Sequence, residues 1–385
     1  MRYSDLRSKY DEFDLPTVEI KVNGKSFKEG KRSFGLSDVD VELTAGFEAS
    51  TASFSIYNAY DYDDSEFDFD SIKNYVLIGS AVEIYMGYKV TLQEVFRGVI
   101  TRGNFLIEDG EPPCVQVSAM DVKAVMMANR YHKALSAKYY CEAVKEVLGQ
   151  GVYETLKNDN IIVSTEIADT PDKPVVEVEA GPPEESDHMI EMVGESDYEF
   201  ITRAAKKFNY EFFVLGGRVY FRAAKCDNTS QLTVNSDVSI KRLSVEYDMT
   251  GLTESIEVRG LDVGKAKLLS KSKKNSNKLS QGSKAKSLIS GSKFVYIDPS
   301  AYSAEDASYR VNYLMEDMMY RYGTLELEMI GIPDILPGKF INIKNVGKVI
   351  SNEFYVQSVR HYMNRDGEYS TKVIGKAAKQ AASLL

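Results

Sequence analysis

Three histidines are the only imidazoles in 385 residues, which sets narrow limits on chemistry. His132 and His188 have no cysteine or second histidine at metal-ligand spacing, and His361 lies in a strand-like run beside Tyr362. No segment has the G-x-S-x-G form of a nucleophile elbow. Cys114, Cys141 and Cys226 are odd in number and far apart, as expected of reduced cytoplasmic thiols. Asp61, Asp63, Asp64, Glu66, Asp68 and Asp70 form an acidic run interleaved with Tyr62, Phe67 and Phe69. As a calcium loop starting at Asp61 it puts Glu66 at the glycine position and Ile72 where a bidentate glutamate belongs. A solvated acidic loop anchored by aromatics is the expectation, with a cation site as the alternative. Gly260 to Lys265 is one residue short of a phosphate loop, and Ala266 follows where Ser or Thr would bind magnesium. These residues assign no catalytic, cofactor-binding or metal-ligating position, no cofactor, and no enzyme.

Composition narrows the class. Hydrophobic residues make up 43%, with 25 Tyr and 17 Phe, enough for sizeable cores, and the length suggests two or three domains. A net charge of −10 argues against a general duplex DNA binder. The first residues lack an apolar signal region and no 18-residue apolar span occurs, so neither a signal peptide nor a membrane segment is expected.

The elements follow from periodicity. Short strands are expected at Val18 to Val22, Val39 to Leu43, Ala52 to Tyr57, Ala81 to Tyr88, Phe96 to Ile100 and Cys114 to Ala119. Near Val122 the pattern turns mixed. Ser136 is read as capping a helix with Tyr140, Ala143, Val144, Val147 and Leu148 inward. Ser196-Asp197-Tyr198-Glu199 is a capping box, Asn209 ends its helix, and Gly216-Gly217 turns a hairpin. Strands resume at Ile240 to Tyr247 and Thr253 to Arg259. Lys265 to Lys293 holds nine Lys, no Arg, Asp or Glu, and lacks the aromatic platforms that single-stranded nucleic acid needs; a mobile surface loop is expected. Ser303 caps a further helix, with Asp306 completing the box. Pro333, Pro337-Gly338 and Asp366-Gly367 then punctuate β structure from Leu325 to Gly375.

Gly331-Ile332-Pro333, Leu336-Pro337-Gly338, Tyr355-Val356 and Val359-Arg360-His361 resemble the second tube barrel of the phage late control D tail-hub family, relatives of the VgrG spike. The order VEIYMGY then VFRGVI resembles its first barrel, and ESDYEFITRAAKKFNYEFFVLGGRVYF its helix-plus-hairpin signature. Together they cover roughly residues 16–375.

The resemblance implies a β-rich α+β fold. A first tube-like barrel (1–122) and a second (229–376, with insert 264–293 and helix 303–321) flank a mixed α/β middle domain (123–228), and a tail follows (377–385). It further implies a homotrimeric, pseudo-sixfold baseplate hub of a contractile phage tail or tail-like injection particle. Tail tube or tube-initiator protein, a separate spike, and tape measure or other baseplate proteins are the expected partners. Nucleic-acid specificity is not expected. The chain should be made in the bacterial cytoplasm and end in the baseplate. VgrG-type chains continue into an oligonucleotide/oligosaccharide-binding barrel and a β-helical needle; this one ends about ten residues after Gly375, hence the separate spike. Subunits and tube are expected to meet at strands ending near Gly98 and Ile374. The alternatives are a tail-associated glycan or peptidoglycan hydrolase and a receptor-binding β protein.

Overall fold

Alternation decides where the main sheet puts its core. In Gly323–Ile330 and Tyr369–Ala377 every second side chain is buried, so one face is apolar and the other polar. The computed structural model describes residues 1–27, 34–174, 189–235, 238–262, 265–276, 283–347 and 350–380, the side chains of 283–285 excepted.

Thirteen strands form one sheet. From one edge the order is Ile240–Tyr247, Gly323–Ile330, Tyr369–Ala377 and Asn352–Met363, then Gly35–Thr44, Thr51–Tyr57, Cys114–Met120, Thr91–Leu106, Ala81–Tyr88, Pro16–Val22 and Lys25–Ser26. Phe340–Ile343 also pairs with Asn352–Met363 and carries Ser230–Val234 beside it, the one parallel pair in this sheet. The β-rich α+β class read from sequence is what the chain adopts. The two β regions meet at a seam, Ser358 opposite Thr44 through Met363 opposite Val39. Leu325, Leu327, Val356 and Val373 on one side, and Val41, Phe54, Ile84 and Val117 on the other, belong to a single apolar core. Burying such side chains is the main force that holds distant parts of the chain together.

A second core gathers side chains between Val99 and Phe221 in the sequence. Asp197–Phe208 starts on Ser196, whose Oγ accepts from the Glu199 N–H (3.2 Å) while Glu199 accepts from the Ser196 N–H (2.8 Å). Asn209 at φ +59° stops it. Phe200, Ile201, Ala204 and Phe208 point inward against Tyr140–Leu148 and the hairpin Tyr210–Leu215/Arg218–Ala223. Ser164–Ile167 adds a parallel strand to that hairpin. A third sheet, Lys267–Lys274, Ser255–Asp262 and Lys293–Ile297, is backed by Ala304–Tyr320, which packs Ala307, Val311, Met315 and Met318 on Ile256 and Val258.

Four expectations need correction. Ser136 caps nothing: the helix begins at Tyr140, and Ser136 bonds Glu146 instead, while Glu142 accepts from the N–H groups of Lys138 and Tyr139. The insert is not simply a loop, since Lys267–Lys274 pairs residue for residue with Ser255–Asp262; positions 277–282 lie outside the described residues. No strand ends at Gly98, because Thr91–Leu106 runs through it, and Ile374 lies inside Tyr369–Ala377 with a strand on either side. The strands Tyr131–Ala134, Ser164–Ile167 and Glu191–Glu195 were not foreseen.

Phe200 is fully buried in the second core. Phe200→Ala is expected to destabilise that unit by about 3–5 kcal/mol, read as a shifted denaturant midpoint followed by circular dichroism. A change under about 1 kcal/mol would mean that the helix does not hold this core.

Candidate assembly surface

The segment Gly331–Gly338 is short, carries two prolines, and bonds to Tyr88, Gln231, Val356, His361, Tyr369 and Thr371 on four strands of the sheet. The Gly331 N–H donates to the Tyr369 carbonyl (3.0 Å), and its carbonyl accepts from Tyr88 OH (2.8 Å). A Cβ there would stand 2.1 Å from the Tyr369 ring, so only glycine fits. The Ile332 N–H donates to Thr371 Oγ1 (2.9 Å). Asp334 accepts from Lys9 (2.6 Å) and from Tyr10 OH, which ties down the N-terminal helix Tyr3–Lys9. Gln231 pairs with both backbone groups of Leu336 (2.7 and 3.0 Å). Gly338, at φ +83°, donates to the Val356 carbonyl (2.9 Å) and accepts from Arg222 (2.9 Å).

His361 belongs to this knot. Its Nε2 faces the Ile335 carbonyl (3.2 Å), which can only accept, so Nε2 carries the hydrogen. Nδ1 then accepts from Thr371 Oγ1 (3.1 Å) and Tyr369 OH (3.0 Å). Burial pushes its pKa down to about 4, so the ring is neutral at pH 7.

The opposite face of the sheet is polar. Across the seam Arg360 donates to both Asp40 oxygens (2.7 and 2.5 Å). Cross-strand neighbours run Arg242, Glu328, Lys372, Arg360, Glu42 and Thr51, so opposite charges lie side by side along most of the row. Asp40, Glu42, Thr51, Ser53, Thr101 and Ser118 border a shallow groove of about 280 Å³ on this face.

A second cleft, of about 440 Å³, opens where Glu94, Arg97, Phe213, Tyr220, Arg222 and Pro337 approach. Its central cations are engaged. Arg97 pairs with Glu94 (2.6 Å) and Glu83 (3.3 Å) and donates to the Asn160 carbonyl (2.7 Å). Arg222 pairs with Glu211 (2.7 Å) and lies over the Phe213 and Tyr220 rings (5.1 and 5.3 Å). Glu211 also accepts from the buried Tyr355 OH. These groups hold the middle hairpin to the sheet, and the cleft reads as a joint.

The other residues singled out from sequence are scattered. His132 is exposed on Tyr131–Ala134, and His188 lies outside the described residues. Asp61 accepts from the N–H groups of Asp63 and Asp64, Asp68 caps Phe69–Val76 through Ser71, and Asp70 pairs with Lys73. Tyr60, Tyr62, Phe67 and Phe105 make a row of edge-to-face ring contacts beside that acidic loop, with Tyr62 itself exposed. Cys114 and Cys141 are buried and Cys226 exposed, all as thiols. Among the described residues no group of three or more His, Cys, Asp or Glu is placed to hold a metal, and no helix is long and apolar enough to cross a membrane. Sequence reasoning missed Arg97, Arg222 and Glu211, whose contacts with Asn160, Gly338 and Tyr355 respectively join distant parts of the chain.

Two tests follow from the junction. Gly331→Ala forces a methyl into the Tyr369 ring and is expected to cost about 1–3 kcal/mol, measured by urea unfolding; an unchanged midpoint would mean the knot yields freely. His361 has a folded pKa below its unfolded value of 6.5, so unfolding takes up a proton. Its contribution is complete above pH 6.5 and falls by up to about 1.4 kcal/mol per pH unit towards pH 4. His361→Gln is expected to remove that part of the slope; equal slopes in both proteins would place the imidazole in water.

Comparison with solved structures bears on the fold. The chain is similar to the tail protein of Neisseria meningitidis MC58, with 14% identity, a TM-score of 0.65, and coverage of 94% of this chain and 97% of that one. It is similar to the 43 kDa tail protein of prophage MuSo2 from Shewanella oneidensis at 10% identity and TM-score 0.64, covering 94% and 98%. It also resembles the E. coli c3393 protein, a component of the type VI secretion system with structural similarity to the T4 bacteriophage tail proteins gp27 and gp5. There the identity is 11%, the TM-score 0.56, and the coverage 92% and 76%. The tail-hub type of fold expected from the sequence motifs is therefore the fold these neighbours share. Among curated proteins no sequence matches. The family model described as the Alg8 N-terminal domain matches residues 12–365, and the chain belongs to that family.

Proposed function

We propose that this chain is a structural subunit of the baseplate of a contractile phage tail or tail-like injection particle, and within it the hub. Three copies form a ring that joins the hexameric tail tube to the trimeric spike. The observation that carries this reading is the seam, which merges two β regions into one sheet with a continuous polar face. Read as two tube-type barrels per chain, three copies supply six such units, matching a sixfold tube while keeping threefold symmetry for the spike. The polar face lines the channel in this arrangement. A β-rich tail-protein fold supports the reading, as does a surface on which charged groups brace the chain instead of converging on a pocket.

Strand edges suggest how the ring closes. Among the described residues Ile240–Tyr247 pairs only with Gly323–Ile330 and ends the sheet. Thr91–Leu106 pairs with Ala81–Tyr88 as far as Val99; beyond Ile100 it has Cys114–Met120 on one side and, among the described residues, no strand on the other. Joining the 240–247 edge of one copy to the 101–106 edge of the next makes the polar face continuous around the ring. That moves the expected contact away from Gly98 and Ile374.

The test is co-expression with the tube and spike proteins of the same particle, followed by mass measurement of the purified complex. Three copies of this chain per assembly are expected. A stable one-to-one monomeric complex with the spike, or particles that assemble normally without this protein, would end the hub reading.

A further inference from the structure

The third sheet has a strand edge with no assigned use. Lys267–Lys274 pairs through its full length with Ser255–Asp262 on one side and, among the described residues, with nothing on the other. Eight extended residues therefore present a backbone edge about 27 Å long. Register puts Lys267, Lys271 and Lys273 on the side facing Ala304–Tyr320, and Lys274 with Leu268 on the other side. Lys267, Lys271 and Lys274 are exposed and their ammonium groups have no hydrogen-bond or ion-pair partner among the described residues, while the Lys273 ammonium bonds Asn312 (2.8 Å). On the partner strand Glu257 is already held by Arg259, Ser270 and Lys293, and Asp262, which stands opposite Lys267, accepts from the Lys265 N–H (3.0 Å). Leu268 (81% exposed) and Ile297 (73% exposed) add apolar surface on the side away from the helix.

We infer that this edge is a docking site for an acidic, extended segment of a partner protein, which adds to Lys267–Lys274 as a further strand. The backbone edge supplies the hydrogen bonds of strand addition, and the side chains supply selection. Cations on both sides of the edge strand call for carboxylates on both sides of the incoming one. Charge complementarity favours such a partner, because these free lysines stand on a chain whose net charge is −10. A nucleic acid would meet the same cations, but the strand holds no aromatic residue on which bases could stack. The inference does not depend on the ring, since a single copy carries the whole site.

Edge lysines also serve to keep strands from pairing at all, and the experiment separates that role from docking. Fluorescence anisotropy is measured on the full chain with a labelled decapeptide alternating glutamate and threonine, its glutamine counterpart, and a twenty-residue oligothymidylate. The acidic peptide is expected to bind, and the variant carrying Lys267→Glu, Lys271→Glu and Lys274→Glu to lose at least tenfold in affinity. Hydrogen exchange on the unaltered protein is expected to show new protection at residues 267–274 when that peptide is bound, a readout that does not depend on the variant folding. The proposal fails if the acidic peptide does not bind, if the glutamine peptide binds as well, if protection appears elsewhere, or if oligothymidylate is the ligand that these lysines hold.

Discussion

The segment Gly331–Gly338 is the constraint on which the rest of the structure depends. Its backbone groups are used by elements from almost every part of the chain: Tyr88, Arg222, Gln231, Val356, Tyr369 and Thr371. A hydrogen bond of this kind contributes only about 0.5–1.5 kcal/mol net, but a buried group left without its partner costs about 1–3 kcal/mol. The segment is therefore held less by any one contact than by the absence of an alternative. Gly331 admits no side chain beside Tyr369, and Pro333 and Pro337 narrow the backbone between the two glycines. With the segment set, the last strands Asn352–Met363 and Tyr369–Ala377 are held to it through Val356, His361, Tyr369 and Thr371, and the first of them carries the seam.

A second fixed point is buried in the joint with the middle unit. Lys123 is fully buried, and its ammonium donates to the carbonyls of Gly46 (3.3 Å), Phe47 (3.0 Å), Glu48 (2.7 Å) and Phe212 (3.1 Å). Asp121 beside it accepts from the N–H groups of Ser50 and Lys123, both at 2.8 Å. Burial pushes the lysine down to about 8 and the carboxyl up to about 6, each opposed by the other's charge. Burying two ionisable groups adds little net stability. What the arrangement supplies is direction, because four carbonyls from a loop and a hairpin converge on one ammonium. Arg222, Glu211 and Tyr355 do the same on the far side of the hairpin. The middle unit is thus oriented by polar contacts and filled by its own apolar core.

What was legible in the sequence was local. The capping boxes at Ser196 and Ser303, the Asn209 stop, the Gly216-Gly217 turn and the alternation in Ala81–Tyr88 all act within a few residues, and each lies where its pattern placed it. Ser136 misled because the first N–H groups of the helix, Tyr140 and Cys141, donate to Asp172 and Thr170, acceptors from a later part of the chain that no local capping pattern reveals. Lys267–Lys274 was hidden by composition: its partner strand supplies the pairing, and an exposed edge strand has no need of apolar alternation. At Gly98 the strand runs on, and the missing side chain lets Met120 approach, whose carbonyl would lie 2.2 Å from a Cβ. The joint itself was not legible. Glu211 and Tyr355 are 144 positions apart, and no short pattern links them.

The character of the polar face fits a ring subunit better than a binding protein. Along the row from Arg242 through Glu328, Lys372 and Arg360 to Glu42, most charges have an opposite neighbour, so the local field is small although the chain as a whole is acidic. Such a surface is well hydrated and offers a passing polymer neither an apolar patch nor a strong single-sign potential. A binding protein concentrates a few polar groups in a concave apolar site, the reverse of what lies here. The two open edges carry the same argument further. Unpaired strand edges are a liability that proteins bend, cover or charge, and one sheet whose edges at 240–247 and 101–106 have no further strand among the described residues would be a hazard in a chain meant to remain alone. In the ring proposed above each edge would be consumed by its neighbour, and the feature that threatens a monomer would become the contact that builds the assembly.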